Sequence, residues 1–101
     1  MATIRSILCC CGSGIGSSIL VEMNLRKALT KLGRADVSSE HASLSEIADR
    51  DADLIVTGEE MLDQVRAFPR VIALKRMISE AELTEKLAAA FRENREKFLI
   101  Q

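Results

Sequence analysis

Residues 4–10, with the apolar run Ile7-Leu8-Cys9-Cys10, read as a first buried strand. A strand covered on both faces carries a near-continuous apolar sequence rather than an alternating one. After it, Val21, Leu25, Ala28, Leu29 and Leu32 recur at helical spacing while Glu22, Asn24, Arg26, Lys27 and Lys31 fill the opposite face. This pattern predicts a helix from near Ser17 to a stop at Gly33. A weak polar strand is expected over residues 35–41, and Ser43-Leu44-Ser45-Glu46 has the form of a capping box opening a helix. The β-branched run Leu54-Ile55-Val56-Thr57 is the third strand. Thr57-Gly58-Glu59-Glu60 forms another capping box, whose helix should end before Phe68-Pro69 because a proline pushes its predecessor out of the helical region. Residues 70–74 give strand four. Ser79-Glu80-Ala81-Glu82 caps a long C-terminal helix whose buried stripe is Leu83, Leu87, Ala90, Phe91 and Phe98.

Strands and helices alternating over short connections predict an α/β fold, because parallel strands need crossovers and crossovers are right-handed. The expected architecture is a three-layer α/β/α sandwich around a four-stranded parallel sheet of order 2-1-3-4. It is Rossmann-like, with a phosphate-binding loop after strand one. No repeat, linker or low-complexity tract interrupts the order, so residues 1–101 are expected to form a single domain. Ligands in such sheets sit beyond the carboxyl ends of the strands at the switch point, where Cys11 falls.

Composition narrows the function. A hydrophobic share of 48% in 101 residues suffices for one core without staples. With 14 Lys+Arg against 15 Asp+Glu there is no electrostatic ground to expect a nucleic acid partner, and three Phe without Tyr or Trp leave no platform for base stacking. The cysteines are consecutive, at 9, 10 and 11, which argues against disulfides among them and fits a reducing cytoplasm. No apolar run approaches the roughly 18–20 residues that cross a membrane, so a soluble protein is expected.

The segment Cys11-Gly12-Ser13-Gly14-Ile15-Gly16-Ser17-Ser18 carries the chemistry. Alternate glycines let successive backbone N–H groups converge on one anion, and Ser17 and Ser18 stand in the first helical turn, where unpaired N–H groups and the helix dipole also favour negative charge. The same field should stabilise a Cys11 thiolate and make it a nucleophile near neutral pH. Taken singly, a glycine-rich turn is more often a plain βα connection, and a strand-end cysteine a small buried hydrophobe. In this order, at the mouth of a parallel sheet, they specify a site. Cys9 and Cys10 lie within the strand and read as core.

Other loop chemistries fit the letters poorly. A nucleotide P-loop needs a lysine after its last glycine, where Ser17 stands. A dinucleotide fingerprint on Gly12 and Gly14 also meets Ser17 where its third glycine belongs, although Glu40 could mimic the ribose-binding acid. A cysteine phosphatase places an arginine after five intervening residues beyond its nucleophile; Ser17 again occupies that position, and no Asp-Pro pair supplies a leaving-group acid. Two classes remain open on the residues alone. One is a phosphoryl-transfer intermediate working between proteins; the other is a stand-alone thiol phosphatase of low-molecular-weight type or a redox enzyme.

Residues 7–18 resemble the active-site segment of the cytoplasmic enzyme IIB subunits of the bacterial sugar phosphotransferase system, and most of all its ascorbate and galactitol branch, with the signature Cys-Gly-x-Gly-x-Gly-Ser-Ser. Ala52-Asp53-Leu54-Ile55-Val56 resembles the family's third strand, and Val71-Ile72-Ala73-Leu74-Lys75-Arg76-Met77 its fourth strand and following loop. The resemblance implies a protein-phosphohistidine–sugar phosphotransferase component in which Cys11 takes phosphate from enzyme IIA as phosphocysteine. Cys11 then yields it to a sugar held by the membrane enzyme IIC. It implies that Gly12, Ser13, Gly14, Ile15, Gly16, Ser17 and Ser18 bind the phosphate. It also implies a cytoplasmic protein, peripheral to the membrane through enzyme IIC. Arg76 departs from the asparagine frequent in such proteins.

The remaining candidates read more plainly. His41 is the sole histidine, and the adjacent cysteines lack zinc-site spacing, so no metal is expected and no cofactor is called for. His41 reads as a partly exposed strand-end residue, and Asp49, Asp51 and Asp53 as a solvated turn before strand three. A monomer is expected, docking its partners through a rim that includes Ile15, Met61, Met77 and Ile78 with steering by Lys75 or Arg76.

Overall fold

A computed structural model of the chain describes residues 4–11, 17–43, 52–65, 68–75, 79–93 and 97–101. The first strand, β1, spans Ser6–Cys11, and helix α1 follows at Ser17–Lys31. Gly33 ends α1 with φ at +71°, the left-handed conformation that only glycine adopts without strain. Its N–H donates to the Thr30 carbonyl at 3.2 Å and the Arg34 N–H to the Leu29 carbonyl at 2.8 Å, so both bonds of a Schellman cap are present. The chain then turns through Arg34, whose carbonyl accepts from the Val37 N–H. That turn delays strand β2 to Ser38–Ser43, later than the expected residues 35–41.

Strand β3 is Leu54–Gly58, followed by one 3-10 turn, Glu59–Met61, and a four-residue helix α2, Leu62–Val65. Strand β4 is Arg70–Leu74, helix α3 is Glu80–Arg92, and strand β5 is Phe98–Ile100. All pairings are parallel and the order is β2-β1-β3-β4-β5. The expected four-stranded sheet of order 2-1-3-4 is therefore corrected to five strands. Phe98 does not continue the C-terminal helix. The Glu93 N–H bonds back to the Ala90 carbonyl, and the Phe98 N–H donates to the Pro69 carbonyl at 2.8 Å, starting a new edge strand on β4.

The two sheet faces carry separate cores. Ile7 and Cys9 of β1 pack with Leu54 and Val56 of β3 beneath Val21, Leu25, Leu83 and Leu87 of α1 and α3, whereas Leu8 and Cys10 pack with Ile55, Val65 and Val71 on the face of α2. At the opposite end of the strands, Asp53 is no solvated turn residue. Its carboxylate accepts the Arg5 N–H at 2.8 Å and the Ser6 N–H at 3.2 Å, tying the start of β3 to the start of β1. Asp49, Asp51 and the capping box at residues 43–46 beyond Ser43 lie outside the described residues.

Candidate functional site

The chain crosses from β1 through α1 to β2 on one side of β1, and β3 lies on the other. Strand order thus reverses between β1 and β3, which makes the carboxyl end of β1 the switch point of the sheet. Cys11 is the last residue of β1, in register with Ser43 of β2. Helix α1 opens six positions later, at Ser17-Ser18, and its first turn carries no acidic residue. The other two helical starts that follow a strand among the described residues differ: Glu59 and Glu60 stand in the 3-10 turn, and Glu80 and Glu82 in α3. Among these described starts, the positive end of the α1 dipole is the one with no carboxylate of its own in the first turn. Residues Gly12, Ser13, Gly14, Ile15 and Gly16 of the expected phosphate loop lie outside the described residues.

The three consecutive cysteines part company. Cys9 and Cys10 are fully buried, on opposite faces of the sheet. Burial, first, and then the nearby Glu22 carboxylate and Cys10 push the Cys9 thiol far above its ordinary range, so it stays a neutral thiol and no nucleophile. This matches the core role expected of both.

Among the described residues the buried polar side chains are Glu22 and Thr57, and both flank β1 near its carboxyl end. Glu22, in the second turn of α1, receives Arg26 at 3.2 Å on one carboxylate oxygen and lies 2.7 Å from Nδ1 of His41 on the other. A carboxylate only accepts, so Nδ1 of His41 carries the proton in that contact. His41 stands opposite Cys9 in the β1–β2 register, so the pair clamps the early turns of α1 to the sheet edge. The expectation of a partly exposed strand-end histidine did not include this partner, which is 19 residues away. Thr57 does not cap the turn it precedes. The cap residue is Gly58, with no side-chain bond, and the Thr57 hydroxyl instead donates to the Cys10 carbonyl at 3.0 Å across the β1–β3 boundary.

On the β4 side, Ser79 caps α3, its hydroxyl accepting the Glu82 N–H at 3.2 Å as the sequence pattern predicts. The Glu82 carboxylate accepts the Lys75 N–H and the Lys86 ammonium, each at 2.7 Å, and Lys86 also donates to the Ala73 carbonyl. The exit of β4 is thus pinned to α3. Of the expected docking rim, Lys75 is exposed and Met61 half-buried, whereas Ile15, Arg76, Met77 and Ile78 lie outside the described residues. Sequence reasoning overlooked Leu20 and Met23, exposed to 49% and 52% on the outer face of α1 just beyond the loop. Among the described residues, no helix is long and apolar enough to cross a membrane.

Residues 6–89 match the family model described as PTS system, Lactose/Cellobiose specific IIB subunit. That span runs from the first residue of β1 into α3. No curated protein matches the chain. The family description names lactose and cellobiose, so the ascorbate and galactitol likeness rests on the loop letters alone.

Proposed function

Because the chain belongs to the lactose/cellobiose-type IIB subunits of the sugar phosphotransferase system, which serve as phosphoryl carriers alongside IIA and IIC components, we propose that Cys11 is its phosphoryl acceptor. The observation that carries this reading is the position of Cys11: the final residue of the central switch-point strand, six positions before a helix whose first turn bears no carboxylate. In the forward step the Cys11 thiolate attacks the phosphorus of a phosphohistidine on the IIA partner. The S–P bond forms as the N–P bond breaks, the electron pair stays on the imidazole nitrogen, and the imidazole takes up the proton that the Cys11 thiol released on ionising, so it ends neutral. In the second step a sugar hydroxyl held by the IIC partner attacks phosphorus, the pair of the S–P bond returns to sulfur, and the hydroxyl proton balances the charge of the released thiolate, so Cys11 ends as it began.

The protein's part in each step is positioning and charge stabilisation, which account for nearly all catalysis of phosphoryl transfer. The backbone from Gly12 to Ser18 supplies N–H donors to the phosphoryl oxygens. The absence of an arginine at position 17 favours carriage over hydrolysis, since Ser17 has no guanidinium to hold the transferring phosphoryl oxygens. Residues 1–101 act as one IIB-type domain at the cytoplasmic face of the membrane, as a monomer. The loop letters resemble the ascorbate and galactitol branch, while the sugar itself is chosen mainly by the IIC component. Docking uses the exposed Leu20–Met23 face of α1 together with the loops at the strand carboxyl ends.

Intact-mass measurement after incubation with the phosphorylated general carriers and candidate IIA subunits tests the proposal. The expected result is gain of one phosphoryl group by the wild type and none by Cys11→Ser. Release of inorganic phosphate with no accumulation on the protein would instead support the stand-alone phosphatase.

A further inference from the structure

We propose that Thr57 is a positioning residue for Cys11, holding the peptide bond that joins Cys10 to Cys11 from the far side of the switch point; the inference rests on Cys11 being the phosphoryl acceptor. The β1–β3 ladder runs as far as the pairing of Cys9 with Val56, and the next residues along are Cys10 and Thr57. At that step the fully buried Thr57 hydroxyl donates to the Cys10 carbonyl at 3.0 Å. Burying a hydroxyl is costly unless it is hydrogen-bonded, and this one spends its bond on the carbonyl of the last peptide before the nucleophile. The Cys10 carbonyl and the Cys11 N–H belong to one rigid plane, so fixing the carbonyl fixes the direction in which Cys11 leaves the strand. Valine at the same position has nearly the same shape and cannot donate.

Positioning and mere support of the fold separate by experiment. Phosphoryl uptake is measured against donor concentration for wild type, Thr57→Val and Thr57→Ser. In parallel, the rate of Cys11 alkylation by iodoacetamide is followed against pH, with Cys11→Ser giving the background from Cys9 and Cys10. Loss of one neutral hydrogen bond is worth about fivefold in rate. Thr57→Val should lower the saturating rate by about that factor at unchanged half-saturating donor, and move the alkylation profile to higher pH as the thiolate loses its set position near the helix start. Thr57→Ser should restore both. If Thr57→Val does not fold, Thr57→Ala replaces it in the comparison with Thr57→Ser. A Thr57→Val protein that melts lower yet keeps the wild-type saturating rate and alkylation profile would overturn the proposal while leaving Cys11 as acceptor. Failure of the wild type to take up phosphate would overturn the carrier reading, and the alkylation profiles would still decide whether Thr57 positions the Cys11 thiol.

Discussion

Glu82→Ala removes the carboxylate that joins the end of β4 to α3, and the structure sets how much that should cost. Glu82 accepts the Lys75 N–H and the Lys86 ammonium, both at 2.7 Å, and the two charged side chains are 14% and 18% exposed. A hydrogen bond to a charged group contributes about 1.5–3 kcal/mol. Removing one partner of a buried ion pair costs about 3–5 kcal/mol because the other charge is stranded. Lys86 keeps the Ala73 carbonyl as a partner and some contact with water, so the lower end applies and we expect about 3 kcal/mol. For a domain of this size that corresponds to a fall in melting temperature of roughly 12 °C. Lys86→Met, which keeps the apolar stem and leaves Glu82 bonded to the Lys75 N–H, should cost about half as much. The double variant should cost less than the sum, since no orphan charge remains. Urea unfolding of the three proteins measures these terms. A Glu82→Ala loss below about 0.5 kcal/mol, or strictly additive costs, would refute the argument.

Two further outcomes follow from the same geometry. The folded chain holds the Cys9 thiol protonated far above its ordinary value of 9.0, mainly through burial, while the unfolded chain ionises it there; the stability this contributes is fully present below pH 9.0 and is lost as pH rises beyond it. Denaturation midpoints should accordingly fall less steeply above pH 9.0 in Cys9→Ala than in wild type, and parallel curves would count against it. Replacing exposed Leu20 and Met23 together by serine should weaken uptake from the IIA donor about tenfold through affinity, as loss of an apolar contact pair at an interface does. The melting temperature should hardly move, and an unchanged half-saturating donor concentration would exclude this face from docking.

Much of this architecture is legible in the sequence because its signals are local. The buried runs of β1, β3 and β4, the helical stripe of α1, the glycine that ends it and the serine that caps α3 each depend on neighbours a few residues away. The fifth strand is hidden for the opposite reason. Phe98 lies seven positions after Phe91, a spacing that continues a helical stripe equally well, and only pairing with Arg70 across the chain decides for a strand. Thr57 misleads in the same manner: ahead of Gly-Glu-Glu it has the form of a cap, and its true partner, the Cys10 carbonyl, is 47 residues away. The Glu22–His41 contact, too, joins a helix to a strand and leaves no periodic trace. The proposed acceptor segment stands out in the sequence because a cysteine, alternating glycines and a serine pair are contiguous.

The central claim is that phosphorus becomes bonded to the sulfur of Cys11, and 31P NMR of the protein after phosphorylation by its IIA donor tests it directly. The account predicts a single resonance in the range of S-phosphorylated cysteine, absent from Cys11→Ser and lost when unphosphorylated IIA is added in excess, as phosphate returns to histidine. A resonance in the phosphohistidine range that persists in Cys11→Ser and vanishes in His41→Gln would contradict it, placing the phosphoryl group on the chain's one histidine.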